Sequence, residues 1–168
     1  MWCAMFAGVA LVADGSAAAQ SFTVAAEIVP GCAVRGTLQT TGLALGTIDF
    51  GSVPATHTGI AQASAPAGAM GGIELECTAG LTLTLAVDGG QHASGGSRRL
   101  AAANGGRLAY ALYADVMHQT AIPLAGGVSI DVPAGGLIDL PLHAVAHLPG
   151  GGQAPGSYTD TVAVTLSW

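Results

Sequence analysis

The sequence contains no lysine, and only 8% of its 168 residues are charged. Ten acidic residues outnumber four arginines, which gives a formal net charge of -6. Binding to nucleic acid requires a cluster of basic side chains that contact the phosphates. With only Arg35, Arg98, Arg99 and Arg107 available, the sequence argues against nucleic acid as a partner.

Long apolar runs are also absent after position 20, although 51% of the residues are hydrophobic and the mean hydropathy is +0.56. A membrane-spanning helix needs about 20 consecutive apolar residues. Here the apolar residues form short runs that are separated by 26 glycines and eight prolines. This composition is typical of short strands joined by turns.

Residues 1–19 are predicted to be a secretory signal peptide. Residues 4–13 form an apolar core, and Ala17 and Ala19 supply small residues at positions -3 and -1 of a cleavage site. The segment departs from the usual pattern because no Lys or Arg precedes the core. A buried N-terminal helix is the alternative, but the Asp-Gly-Ser sequence after the core would break it. Cleavage would leave Gln20 as the first residue.

The cysteine count agrees with export. Cys3 would be removed with the signal peptide, which leaves Cys32 and Cys77 as an even pair suited to one disulfide in an oxidising compartment. Closing a loop of about 45 residues would stabilise the fold by roughly 4 kcal/mol on the chain-entropy model. Two unrelated free thiols are the alternative.

Apolar and polar residues alternate with period two along most of the chain, and no long segment shows a capped helical period. Short strands at regular spacing predict an antiparallel sandwich or barrel without a second domain. The predicted strands are 21–29, 47–51, 72–78, 81–88, 107–115, 128–132, 137–148 and 162–168. The Gly/Ala/Ser-rich stretches 59–72, 89–106 and 149–157 are predicted to be loops.

Several positions carry more specific predictions. Glu74 and Glu76 are predicted to face solvent, with the alternate residues Ile73, Leu75 and Cys77 pointing inward. The Arg98-Arg99 pair is predicted to lie in a solvated turn. Pro141, inside a strand pattern, indicates an edge position because proline cannot donate to a ladder.

Five histidines prompt a search for a metal site. His143 and His147 are four residues apart, which on a strand is about 13 Å and too far to share one ion. No G-x-S-x-G, H-E-x-x-H or C-x-x-C motif occurs. The sequence therefore predicts no metal, cofactor, small-molecule substrate or enzymatic activity. The other histidines are in predicted loops without Cys or carboxylate at ligand spacing: His57, His92 and His118.

The final strand raises a question of pairing. One face carries Val162, Val164, Leu166 and Trp168, and the other carries smaller or polar residues. A strand needs partners for its backbone N–H and C=O groups on both sides.

Six segments in order carry a family resemblance that spans nearly all of the chain after residue 28. They are "VPGCAV" (29–34), "LGTIDFG" (45–51), "IELECTAG" (73–80), "LAVDGG" (85–90), "RLAYALYAD" (107–115) and "GSYTDTVAVTLSW" (156–168). Together they resemble the spore coat protein U family, which includes subunits of archaic chaperone–usher pili. In the last segment, Tyr158 also resembles a tyrosine corner.

The resemblance implies an all-β, immunoglobulin-like antiparallel sandwich that lacks its last strand and is completed by a donor strand from another chain. A periplasmic chaperone would fill the groove first, and another subunit would then replace it by donor-strand exchange, a form of β-augmentation. Residues 20–31 would be the donor arm and residues 32–168 the sandwich domain. The donor side chains would be Phe22, Val24, Ala26 and Ile28, and the acceptor groove would be lined by Val162, Val164, Leu166 and Trp168.

The predicted function is therefore an exported, non-enzymatic pilus subunit that supports adhesion and biofilm formation at the cell surface. Its partners would be other pilin subunits, the chaperone and an outer-membrane usher. The alternatives are a secreted coat component or a tip or adaptor binding module of the same fold, and a secreted enzyme is third. For the arm, the alternative is an ordinary first strand packed in its own domain, since alternation alone cannot separate pairing in cis from pairing in trans.

Overall fold

The computed structural model describes residues 23–37, 41–65, 74–151 and 153–168. Within these ranges the regular secondary structure is entirely β, and every strand pair is antiparallel. The predicted signal peptide and Phe22 lie outside the described residues. The strands are β1 (Cys32–Val34), β2 (Thr58–Ser64), β3 (Glu74–Cys77), β4 (Thr82–Val87), β5 (Arg98–Ala101), β6 (Arg107–Tyr113), β7 (Val128–Asp131), β8 (Leu137–Asp139), β9 (His143–Pro149) and β10 (Val164–Ser167).

The strands form three sheets with the orders β1-β3-β8, β10-β4-β7 and β2-β9-β6-β5. Strand β8 leads directly into β9, so the first and third sheets are joined through one stretch of chain. Inward side chains of the β4 sheet and the β6–β9 sheet belong to a single core cluster. The chain is therefore an antiparallel sandwich, as the alternating pattern predicts.

Strand β4 shows why this sequence forms such a sandwich. Leu83 and Leu85 are fully buried and Val87 nearly so, while Thr82 and Thr84 between them are exposed. Burial of an aliphatic side chain of this size stabilises the fold by about 1.5–3 kcal/mol. The β-branched threonines suit the solvent face of a pleated strand.

Pro141 ends one strand rather than lying inside an edge strand. The predicted strand 137–148 is divided into β8 and β9, which pair in different sheets. The Leu142 N–H bonds to the Leu140 carbonyl at 3.0 Å, across the proline that has no N–H of its own. The break lets the chain move from the β3 ladder to the β6 ladder.

The predicted solvated turn at Arg98-Arg99 is wrong. Both residues belong to β5, and Arg98 is only 2% exposed. Its guanidinium donates to four backbone carbonyl oxygens, those of Val87 (2.5 Å), Asp88 (2.7 Å), Ile122 (2.8 Å) and Pro123 (2.9 Å). Burial lowers the pKa of this guanidinium. The side chain joins the end of β4 to residues 122–123.

Four other segments differ from the prediction in whether they form a strand. Residues 58–64 form β2 instead of a loop, and they pair along their full length with β9. The predicted loop 89–106 contains β5. Residues 47–51 and the described part of 21–29 form no strand. Small Ala, Gly and Ser side chains are tolerated in β2 because it is an exposed edge strand.

A disulfide joins the two predicted cysteines, which confirms the pairing. Cys32 and Cys77 are register partners in the β1–β3 ladder and are 45 residues apart in sequence. The predicted faces of β3 are also correct, because Leu75 and Cys77 are buried while Glu76 is exposed. Ile73 lies outside the described residues.

Replacing Arg98 tests the role of its buried guanidinium. We expect Arg98→Met to lower the free energy of unfolding by at least about 3 kcal/mol, because buried carbonyls lose a charged donor. Urea unfolding with the disulfide intact measures this change. The matched control is Arg99→Met, because Arg99 is only partly buried and donates a single bond to Ser94. It should change stability by no more than about 0.5 kcal/mol. Equal losses in the two variants would contradict this role.

Candidate functional site

The outer edge of β10 is the most unusual backbone feature of the fold. Strand β10 lies at one end of its sheet, and no strand of the described residues pairs with its other side. The Asp88 N–H bonds to the Ala163 carbonyl at 3.0 Å. This bond determines which residues of β10 point their backbone groups toward β4 and which point them away. It follows that Val164 and Leu166 direct their backbone N–H and C=O groups to the open edge.

Beside this edge runs an apolar groove with a volume of about 1020 Å³. Residues of β10 and of β1 line this groove. Its floor is formed by core side chains, among them Leu112, Leu140 and Leu142. The groove therefore reaches the hydrophobic core rather than lying on the surface.

The predicted acceptor residues all line this groove. Val162, Val164 and Leu166 are partly buried and pack against the core, whereas Trp168 remains 58% exposed. The Trp168 indole lies against Gly31, where an added Cβ would be 3.6 Å from Cζ2. Trp168 therefore closes one end of the groove beside the start of β1.

Asp160 holds the other end of the groove in place. Its side chain is 1% exposed and accepts hydrogen bonds from the Gln91 N–H (3.0 Å), the His92 Nδ1 (3.0 Å) and the Tyr110 hydroxyl (2.7 Å). Burial, together with the bond to Asp160, raises the pKa of the Tyr110 hydroxyl. The carboxylate thus fixes the chain just before β10 to β6 and to the turn that follows β4.

The residues on either side of Asp160 add further bonds. Thr159 exchanges two backbone bonds with Ala101 in β5, and the Ala163 N–H donates to the Asp88 carboxylate at 2.9 Å. The Tyr158 hydroxyl donates to the Ala154 carbonyl at 2.8 Å, which confirms the predicted tyrosine corner. Residues 158–163 therefore cross from one sheet to the other along a fixed path.

The predicted donor arm lies apart from this groove. Residues 23–30 form no strand and are exposed, with Val24 at 85% and Ile28 at 96%. Ala26 is exposed in the same way. The arm's role as a donor stays a prediction.

The histidines take other positions in the fold. His143 accepts from or donates to the Ser64 hydroxyl at 2.7 Å, and its ring lies 6.4 Å from that of His118. Burial and the neighbouring His118 lower the pKa of His143. Among the described residues, no group of three His, Cys, Asp or Glu side chains is arranged to hold a metal. No helix in the same part of the chain is long and apolar enough to cross a membrane.

Two parts of the site were not predicted from the sequence. The sequence predicts no role for Asp160, which lies between Thr159 and Thr161 just before the last strand. Residues 47–51 are predicted to be a strand, but they line the groove or the space beside it without forming one.

The sequence profile of the Spore Coat Protein U domain matches residues 18–165. The chain belongs to this family. No curated protein matches the chain. The match includes both cysteines of the disulfide and the first two residues of β10.

Two solved structures are similar to this member of the family. The rod subunit PapA of the P pilus aligns with a TM-score of 0.54 at 18% identity, covering 81% of this chain and 97% of PapA. The CsuC–CsuE chaperone–tip adhesion subunit complex from archaic chaperone–usher Csu pili of Acinetobacter baumannii aligns with a TM-score of 0.47 at 14% identity, covering 84% of this chain and 40% of that chain. The likeness to PapA shows that this chain has the fold of a pilus rod subunit.

A glycine pair tests the anchoring by Asp160. Gly90 and Gly96 both have positive φ, 78° and 73°, so an alanine at either position costs about 1–2 kcal/mol in backbone strain. A Cβ at Gly90 would also collide with the Asp160 carboxylate, whereas nothing lies within 4 Å of one at Gly96. We expect Gly90→Ala to be less stable than Gly96→Ala by about 2 kcal/mol in urea unfolding. Equal stabilities would show that the Asp160 bonds contribute little.

Proposed function

We propose that this protein is a structural subunit of a chaperone–usher pilus and that it polymerises by donor-strand exchange. The observation that supports this most directly is the apolar groove that reaches the core beside the open edge of β10 in a member of the Spore Coat Protein U family. The site offers hydrogen bonds and apolar surface, which is what a β-strand requires.

The backbone of β10 supplies the pairing edge for the incoming strand. Each added backbone hydrogen bond contributes about 0.5–1.5 kcal/mol net. Apolar side chains of the incoming strand would be buried over Leu112 and Leu142, which line the groove floor. This combination of main-chain bonds and side-chain burial is the β-augmentation mode of recognition.

Residues 20–28 have the length and pattern of the donor. Nine residues extend about 30 Å as a strand, whereas the groove face from Val162 to Trp168 extends about 23 Å. Val24 and Ile28 are almost fully exposed, and burying each would stabilise the complex by about 1.5–3 kcal/mol. We therefore assign Phe22, Val24, Ala26 and Ile28 as donor side chains that enter the groove of another copy or a related subunit.

The polar groups of the site favour a structural role over a catalytic one. The Asp160 carboxylate, the Tyr110 hydroxyl and the Asp88 carboxylate all form hydrogen bonds that hold the start of β10. The fold shared with the PapA rod subunit supports a role as a structural subunit of a fibre. In this proposal the subunit passes through the periplasm with a chaperone, is assembled by an outer-membrane usher and supports adhesion and biofilm formation in a surface fimbrium.

Deletion of residues 20–28 tests the donor assignment. The shortened subunit should still bind the chaperone and accept a donor strand, but it cannot complete the next subunit. We expect short, capped assemblies in place of long polymers when it is mixed with the intact chain. Electron microscopy and unheated gel electrophoresis measure the polymer length. Polymers of normal length from the deleted subunit alone would reject the assignment.

A pair of substitutions in β10 tests the acceptor groove. Val164→Asp places a charge on the apolar wall, so we expect it to weaken binding of a synthetic peptide of residues 20–31 by more than about tenfold. Thr165→Asp is the matched control, because Thr165 is exposed on the other face of the same strand. Fluorescence anisotropy gives the affinities and circular dichroism checks the fold. Similar affinities for the two variants would place the peptide elsewhere.

A further inference from the structure

We propose that residues 42–51, called the strap below, cover part of the groove in the unassembled subunit and are displaced when a strand enters. This inference rests on the proposed function, because the entering strand is the donor of another subunit. The strap has the sequence "GLALGTIDFG". Its residues line the groove and also a second cavity.

The strap is held to the domain by apolar side chains. Leu45, Ile48 and Phe50 are partly buried and pack against the core cluster. Strap residues line the same groove as Val164 and Leu166. A strand that pairs with β10 must therefore share or take over the space that the strap covers.

No hydrogen bond holds the strap to a sheet among the described residues. Its one bond runs from the Gly51 N–H to the Asp49 carboxylate at 2.8 Å and stays inside the strap. Strand β2, in contrast, is paired with β9 along seven residues. An incoming strand forms backbone hydrogen bonds with β10 that the strap does not make. We therefore expect the strand to bind the groove more tightly than the strap does.

The backbone of the strap can turn at three glycines. Gly42, Gly46 and Gly51 have φ values of 70°, 104° and 70°, in the region that side chains disfavour. Nothing lies within 4 Å of a Cβ added at any of them. The glycines therefore allow a backbone conformation rather than close packing. They are located at both ends and near the middle of the strap.

A second cavity gives the strap room to move. This cavity has a volume of about 800 Å³, and Thr47, Ile48 and Phe50 line it as well as the groove. Ile48, Phe50 and Leu100 line both spaces. Movement of Ile48 and Phe50 away from β10 therefore leads into existing space and requires no opening of the β4 or β9 ladders.

Thiol labelling measures the position of the strap. We compare Ile48→Cys in the full chain with and without a saturating synthetic peptide of residues 20–31. The peptide is expected to raise the rate of maleimide labelling at this position severalfold. Ile60→Cys is the control, because Ile60 is 51% exposed on β2 and lines neither cavity, so its rate should not change.

A second measurement uses a loosened strap. Ile48→Ser and Phe50→Ser remove apolar contacts with the core and should speed association of the peptide severalfold, whereas Ile60→Ser should not. The inference is overturned if the peptide binds, but binding changes neither the labelling rate at Ile48→Cys nor, in the loosened variants, the association rate. That result would leave the proposed function standing. If the peptide binds neither the intact nor the loosened chain, both are overturned.

Discussion

A β-strand at the edge of a sheet has backbone donors and acceptors on one side that only water or another strand can satisfy. In most sheets such an edge is short, bulged or covered. No strand of the described residues pairs with the outer edge of β10, and this edge lies beside a groove that reaches the core. The open edge and the apolar groove together make the domain receptive to an added strand, and the other features of the site preserve that geometry.

Several side-chain hydrogen bonds hold the start of β10 in place. Asp160 bonds to groups from two parts of the chain, Asp88 closes the ladder, and Arg98 fixes the end of β4 through four carbonyls. These bonds hold β10 in position although no strand in the described part of the chain pairs with its outer edge. A preformed edge lowers the ordering cost for an incoming strand.

The sequence predicted those elements whose side chains alternate between a buried and an exposed face. In β4 the Leu/Thr alternation identifies both the strand and its buried face, and the two cysteines identify the disulfide. Strand β2 was missed because its Ala, Gly and Ser residues lie on an exposed edge, where no apolar alternation is required. Arg98 was misplaced because its partners at 122–123 come together only in the fold. Residues 47–51 of the strap were predicted to be a strand because periodicity reports side-chain burial and says nothing of backbone pairing.

The disulfide stands at the point where the exposed arm joins the domain. Residues 23–30 lead directly into Cys32, and Cys32 is bonded to Cys77 in β3, while β1 itself has only three residues. In a fibre of such subunits, tension arriving along the arm passes covalently into β3 and bypasses the short β1 ladder. The crosslink thus gives each joint a mechanical anchor whose strength does not depend on the three-residue strand beside it.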